Sequence, residues 1–188
     1  MKEKDFIEFA KIIGKLKRTP RTGWKMRGVK NSESVADHTF RTALLGMFLS
    51  DMERLDTEKV MRMLLLHDIA ESVTGDITSR KKYKNISKFR KLEEKAIEKI
   101  LSRLSKKLSE KYLDLWNEME DCKTKEAKFC DDIDKLEMML QAFDYEIEDK
   151  KNRNRLEPFW RWDKNFPNKY PLTKKIYKVL ENERNKNY

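Results

Sequence analysis

The chain has 188 residues and a formal net charge of +10, from 43 Lys and Arg against 33 Asp and Glu. Hydrophobic residues are 38% and charged residues 40%, yet the apolar ones gather into patterned segments, which argues for one folded domain over residues 1–188 and against disorder. The longest apolar stretch, Ala43 to Leu49, falls far short of the ~20 residues a membrane span needs, no signal-peptide segment opens the chain, and Cys122 and Cys130 are too few for a disulfide framework.

Residues 4–17 carry Phe6, Ile7, Ala10, Ile13 and Leu16 at helical spacing and predict a first helix. KRTPRTGWKMRGVKNSES then reads as an ordered loop. Ser32 or Ser34 caps a second helix running to about Met52. Asp56 or Thr57 caps a third, which continues to about Val73 and is broken by Thr74-Gly75-Asp76. Residues 79–90 (SRKKYKNISKFR) are basic and weakly patterned, and read as a mobile loop. Amphipathic helices follow over roughly 89–108 and 109–120. A long helix over 124–149 puts Phe129, Ile133, Leu136, Leu140, Phe143 and Ile147 on one stripe. WRWDKNFP and a closing helix near 173–185 complete the chain. No strand-like alternation or internal repeat interrupts this pattern, so the fold class is all-α, a single helical bundle.

The chain has only two histidines, and both lie in apolar runs. His67 is followed by Asp68, and Glu71 comes one turn later. On a continuous helix these three project within about a quarter-turn of each other. Val60, Met63 and Leu64 continue that face inward. Burying carboxylates without a partner costs several kcal/mol or more, roughly, and a divalent cation would offset it. The plainer alternative pairs Asp68 with a buried Arg or Lys and leaves His67 an ordinary core histidine. His38 shares a core-facing line with Thr42, Leu45 and Leu49. In Asp131-Asp132-Ile133-Asp134, Asp132 is flanked by Lys128 and Lys135 and reads as solvent-facing. Asp134, near Ala127, Cys130 and Met138, sits on the apolar edge and is the preferred ligand. His38, His67, Asp68 and Asp134 thus form a candidate site for one divalent ion, with Mn, Co, Fe, Zn and Mg all compatible.

Glu71 and Asp76 are the acids left over for proton transfer or for orienting water. Arg18 opens a basic loop suited to phosphate, with Arg21, Arg27 and Lys30 as rivals. Trp24 suits either packing on a sugar or base, or anchoring the loop to the core. The basic balance by itself attracts phosphorylated small molecules, anionic lipid or nucleic acid alike. The basic residues are scattered, and no nucleic-acid motif is present.

LKRTPRTGW, ESVADH, LLLHDIAESVTGDIT and KFCDDIDKLEMMLQAFDYE, in that order, resemble the 5′-deoxynucleotidase-like branch of the HD-domain metal-dependent phosphohydrolases. LEPFWRWDKNFP and LENERN resemble the ends of such proteins. The resemblance implies an HD-domain bundle with a metal between core helices, held by His38, His67, Asp68 and Asp134. It implies Glu71 and Asp76 as the catalytic acids of E-x-x-x-G-D, and Arg18 as the phosphate-contacting arginine. The implied reaction removes the 5′-phosphate from nucleoside 5′-monophosphates. A homodimer is implied as well. The two cysteines read as free thiols in a reducing cytoplasm, no membrane partner is expected, and nucleic acid is not the favoured partner. Bacterial members carry tryptophan directly after that arginine, contacting the sugar. Thr19 stands here instead, with Trp24 as the candidate substitute, so deoxyribose selectivity is open. The alternatives are another nucleotide phosphoester, cyclic or hyperphosphorylated, or a non-catalytic basic nucleic-acid-binding or regulatory module.

Overall fold

Ser34, Asp56, Asn85 and Thr124 each accept a hydrogen bond from the backbone N–H three residues on, and each opens a helix. At Ser34 the bond is reciprocated by the Asp37 side chain, which closes a capping box. The computed structural model describes residues 2–162 and 165–186. In chain order its helices are α1 (Glu3–Ile13), α2 (Thr22–Met26), α3 (Val35–Met52), α4 (Thr57–Leu66), α5 (Glu71–Thr74) and α6 (Ser79–Lys84). They continue with α7 (Ile86–Leu101), α8 (Lys106–Asp121), α9 (Lys125–Glu148), α10 (Lys151–Trp160) and α11 (Pro171–Lys186). A 3-10 turn, Gly14–Arg18, extends α1. Among the described residues there is no strand; Pro20 and Ser34 form one isolated bridge.

α9 is the spine. It buries Phe129, Ile133, Leu136, Met139 and Ala142, and it packs against α3, α4, α8, α10 and α11. Its first half meets Val60, Met63 and Leu64 of α4, and its second half meets Leu156, Trp160 and Leu180. A satellite core of Ile69, Ile97, Ile100, Leu101 and Trp116 lies under α5, α7 and α8. α3 lies close against α4 at Gly46, where an added Cβ would stand 2.1 Å from Leu64 Cδ1. Any side chain there would force the buried Leu64 side chain to shift.

The expected third helix is interrupted. α4 stops at Leu66, and residues 67–70 form tight turns before α5. The His67 side chain donates to the Leu64 carbonyl at 2.6 Å, and the backbone beyond closes i→i−3 bonds, such as Ile69 N–H to Leu66 O. Gly75, at φ 73°, then ends α5.

The segment expected as a mobile loop, 79–90, is instead α6 and the start of α7. It is tied down by its own side chains. Arg80 lies over the Trp162 ring and donates to the Pro158 carbonyl, and Tyr83 packs edge-on against Trp162. The expected helix over 89–108 ends at Leu101, and α10 forms where no helix was predicted. Asp163 and Lys164 of WRWDKNFP lie outside the described residues.

Candidate metal centre

Three distant stretches of chain meet at one point: His38 from α3, His67 and Asp68 from the turn after α4, and Asp134 from α9. His38 Nε2 stands 3.3 Å from His67 Nε2 and 3.0 Å from Asp134 Oδ1. Asp68 Oδ2 stands 3.2 Å from His67 Nε2 and 3.8 Å from His38 Nε2. The outer ring nitrogens are occupied elsewhere. His38 Nδ1 bonds the Glu137 carboxylate, and His67 Nδ1 donates to the Leu64 carbonyl. Those partners accept only, so in each neutral ring Nδ1 carries the proton and the Nε2 lone pairs face each other.

Two facing lone pairs beside two carboxylates repel unless positive charge lies between them. Ligands about 2.1 Å from one ion stand roughly 3.0–3.4 Å apart at octahedral or tetrahedral angles. The three shortest separations, 3.0, 3.2 and 3.3 Å, fall in that range. His38, His67 and Asp134 therefore offer ligand atoms close enough together for a single divalent cation, with Asp68 Oδ2 beside the two imidazoles. The electrostatics agree. Burial and Arg21 oppose protonation of His38, yet Asp134 and Glu137 outweigh them and raise its pKa to about 10. Burial works against the Asp134 carboxylate, but His38 and His67 hold its pKa at about 2. The cluster pulls positive charge onto itself.

The centre lies on the wall of a cavity of about 590 Å³, within the usual range for small-molecule sites. Glu71 lines it at 3% exposure, with Lys82 Nζ 3.6 Å from Oε1 and no hydrogen-bond partner for Oε2 among the described residues. Burial, then the charges of Asp68 and Asp76, push the Glu71 carboxyl well above its ordinary pKa. Lys82 is fixed by Glu93 at 2.6 Å. Arg21 enters the same cavity, its guanidinium 3.4 Å from Asp68 and 3.8 Å from Asp76. Asp76 also accepts from the Thr22 backbone N–H.

With this geometry established, the HD-domain family model matches residues 13–171. The chain belongs to the HD-domain family. It is 40% identical to 5′-deoxynucleotidase HDDC2 of Dictyostelium discoideum over 96% of this chain and 98% of that one. It is 39% identical to 5′-deoxynucleotidase HDDC2 of Homo sapiens over 80% of this chain and 73% of that one. Among solved structures, a conserved hypothetical protein from Pyrococcus furiosus superposes with a TM-score of 0.72 at 29% identity, covering 95% of this chain and 99% of that chain.

In this HD domain the remaining candidates fall in different places. Glu71 and Asp76 both line the cavity. Arg18, at the end of the 3-10 turn, is exposed and outside the cavity lining, whereas its rivals Arg21 and Arg27 line it. Trp24 borders the cavity but is 2% exposed. Its ring packs on Tyr145 and Phe159, and its Nε1–H donates to Glu33 at 2.9 Å, so it anchors the loop to the core. Asp132 corrects the expectation of a solvent-facing acid: it is 0% exposed. Its carboxylate accepts from the backbone of Asn168, Lys169 and Tyr170 and from the Thr173 hydroxyl, because the segment entering α11 folds over it. Lys135, thought to flank Asp132, pairs with Asp131 instead.

Sequence reasoning missed Glu137 and Lys82. Glu137 lies three residues beyond Asp134, on the same face of α9, and that spacing was its one available signal.

Proposed function

We propose that this HD-domain chain is a metal-dependent phosphohydrolase that removes the 5′-phosphate from deoxyribo- and ribonucleoside 5′-monophosphates. The observation that carries the reading is the meeting of two imidazole Nε2 atoms and two carboxylates on the wall of a nucleotide-sized cavity that also holds Arg21. The naming of relatives about 40% identical as 5′-deoxynucleotidases supports the choice of phosphoester.

His38, His67, Asp68 and Asp134 would hold the ion, which when bound supplies Lewis acidity at a phosphoryl oxygen and lowers the pKa of water. Arg21 offers N–H donors to the phosphoryl oxygens, and its two carboxylate neighbours fix its aim. Glu71 Oε2, buried and without a hydrogen-bond partner among the described residues, accepts a hydrogen bond from the attacking water and orients it. The water oxygen bonds to phosphorus as the P–O5′ bond breaks, and Asp76 assists transfer of the proton to O5′. Glu137 holds the His38 ring through Nδ1 and is itself held by Arg41 at 2.7 Å.

Phosphate release from deoxy- and ribonucleoside 5′-monophosphates, assayed with Mn, Co or Mg and with chelator, tests this reading. We expect turnover that chelation abolishes and that His67→Ala or Asp68→Ala reduces by at least about a thousandfold. Undiminished rates in metal-stripped His67→Ala protein would reject it.

A second copy of the chain is the partner we propose. Phe40, Leu44, Phe48 and Met52 recur every four residues on α3, and Phe40 and Phe48 are 67% and 62% exposed. Such a continuous apolar stripe suits a symmetric pairing of α3 helices. Light scattering on Phe40→Asp/Phe48→Asp should return the mass of one chain where the parent returns two. A monomeric parent would remove the dimer from the proposal. A reducing cytoplasm is the compartment we infer, since both cysteines are free thiols.

A further inference from the structure

A second basin of about 560 Å³ adjoins the catalytic cavity. Tyr83 and Lys135 line both and form a common rim. Across that rim, Asp131 on the catalytic side is paired with Lys169 of the basin and with Lys135. Lys174 and Lys178, four residues apart on α11, stand on one helix face and form another wall. Both are exposed, and neither is held by a carboxylate among the described residues. Phe166 and Tyr83 supply aromatic surface.

Charge decides what such a basin accepts. Its four lysines face two carboxylates, Asp131 and Glu181, which leaves a surplus of two positive charges among the described residues. That is about the charge of one phosphate monoester at neutral pH. Cationic and wholly apolar ligands gain nothing from this lining, whereas a phosphate on a sugar or ring gains from both the lysines and the aromatic faces. A 5′-phosphate seated at the metal centre points its nucleoside away from that centre. The base is uncharged and a deoxyribose has only its 3′-hydroxyl left to esterify, so a second anionic group on a deoxynucleotide sits at the 3′ position.

We propose that the basin binds a second phosphate, extending the substrate class to nucleoside 5′-monophosphates that carry a further phosphate at the 3′ position. A nucleoside 3′,5′-bisphosphate and the 5′ end of a short oligonucleotide share this chemistry. The inference rests on the reading of the adjoining cavity as a 5′-monophosphate site. The reaction is unchanged: water adds to the 5′ phosphorus, the P–O5′ bond breaks, O5′ takes a proton, and the second phosphate stays on the product.

The test compares three substrates on the metal-loaded full chain at about 0.15 M salt, where steering by distant charges is largely screened. They are dAMP, deoxyadenosine 3′,5′-bisphosphate and a 5′-phosphorylated deoxyadenosine dinucleotide. Either or both of the doubly phosphorylated substrates should exceed dAMP in kcat/KM by about tenfold, the return expected from one or two charge-assisted contacts. Lys174→Glu/Lys178→Glu should erase that advantage and leave dAMP turnover within about twofold. Lys175→Glu, equally exposed on α11 but outside the basin, should alter neither. Equilibrium binding of the bisphosphate to the same proteins supplies a readout free of turnover. Equal kcat/KM for all three substrates, or bisphosphate binding indifferent to the double charge reversal, overturns the proposal. If no 5′-monophosphate is hydrolysed while the double variant still binds the bisphosphate about tenfold more weakly, the hydrolase reading falls and the basin stands.

Discussion

Arg18 and Arg21 are three residues apart and face opposite surroundings. The 3-10 turn ends at Arg18 and leaves it in solvent, whereas the Arg21 N–H bonds the Glu33 carbonyl at 3.1 Å. The next residue, Thr22, bonds the Asp76 backbone through its hydroxyl. Those two ties turn the Arg21 side chain into the cavity. Arg21→Ala should raise KM for dAMP at least about tenfold, because it deletes a charge-assisted donor and leaves two carboxylates facing the phosphate. Arg18→Ala should stay within about twofold of the parent. Steady-state kinetics on both variants checks this, and the reverse ranking would move the phosphate contact back to Arg18. The meeting of His38 with His67 was legible because rare imidazoles on apolar helix faces have few other destinations. Which basic residue of that loop turns into the cavity was not, since the aim of Arg21 depends on backbone bonds to Glu33 and Asp76 that no local pattern encodes.

Between elements, Asp132 joins α9 to the segment leading into α11. One buried carboxylate satisfies three backbone N–H groups and the Thr173 hydroxyl, so it acts as a cap placed by a different helix. Asp132→Ala strands those donors in a buried place and should cost about 3 kcal/mol. For a chain of this size that lowers Tm by roughly 6–12 °C. Thermal unfolding of Asp132→Ala beside Asp131→Ala, whose parent side chain pairs with Lys135 and Lys169, isolates the effect; equal Tm values would refute the cap. The helices themselves were largely readable, because Ser34, Asp56 and the α9 stripe from Phe129 to Phe143 mark starts and faces that the structure uses, whereas Ile147 at the end of that stripe is 58% exposed. The break after Leu66 was not. LLLHDIAE has unbroken helical spacing, and it is the His67 side chain, taking the Leu64 carbonyl, that tightens the turn. α6 was hidden for a related reason: SRKKYK has no apolar stripe, and its order comes from Trp162 and Pro158 far along the chain and from Glu93 on α7.

For the molecule as a whole, the candidate ligands come from three separate parts of the bundle: α3, the α4–α5 turn and α9. These pack on one another around the main core, so an ion bound among them clamps the elements that must part when the chain unfolds. The unfolded chain has no such site, and any free energy of ion binding adds to folding stability. At free metal about a hundred times its Kd, that contribution is about 2.7 kcal/mol, or roughly 5–11 °C in Tm. Chelation should therefore lower Tm by that amount, and saturating Mn, Co or Mg should restore it for whichever ion the site takes. His67→Ala supplies the control, since it removes one ligand from the centre and replaces an imidazole with a methyl group. Its Tm should be the same with chelator and with metal, and close to or below that of the chelated parent, because the Nδ1 bond to Leu64 is lost too. A parent Tm unmoved by chelation, with metal content verified before and after, would show that the four side chains meet without an ion. The hydrolytic reading would then lose its physical basis, whatever the relatives do.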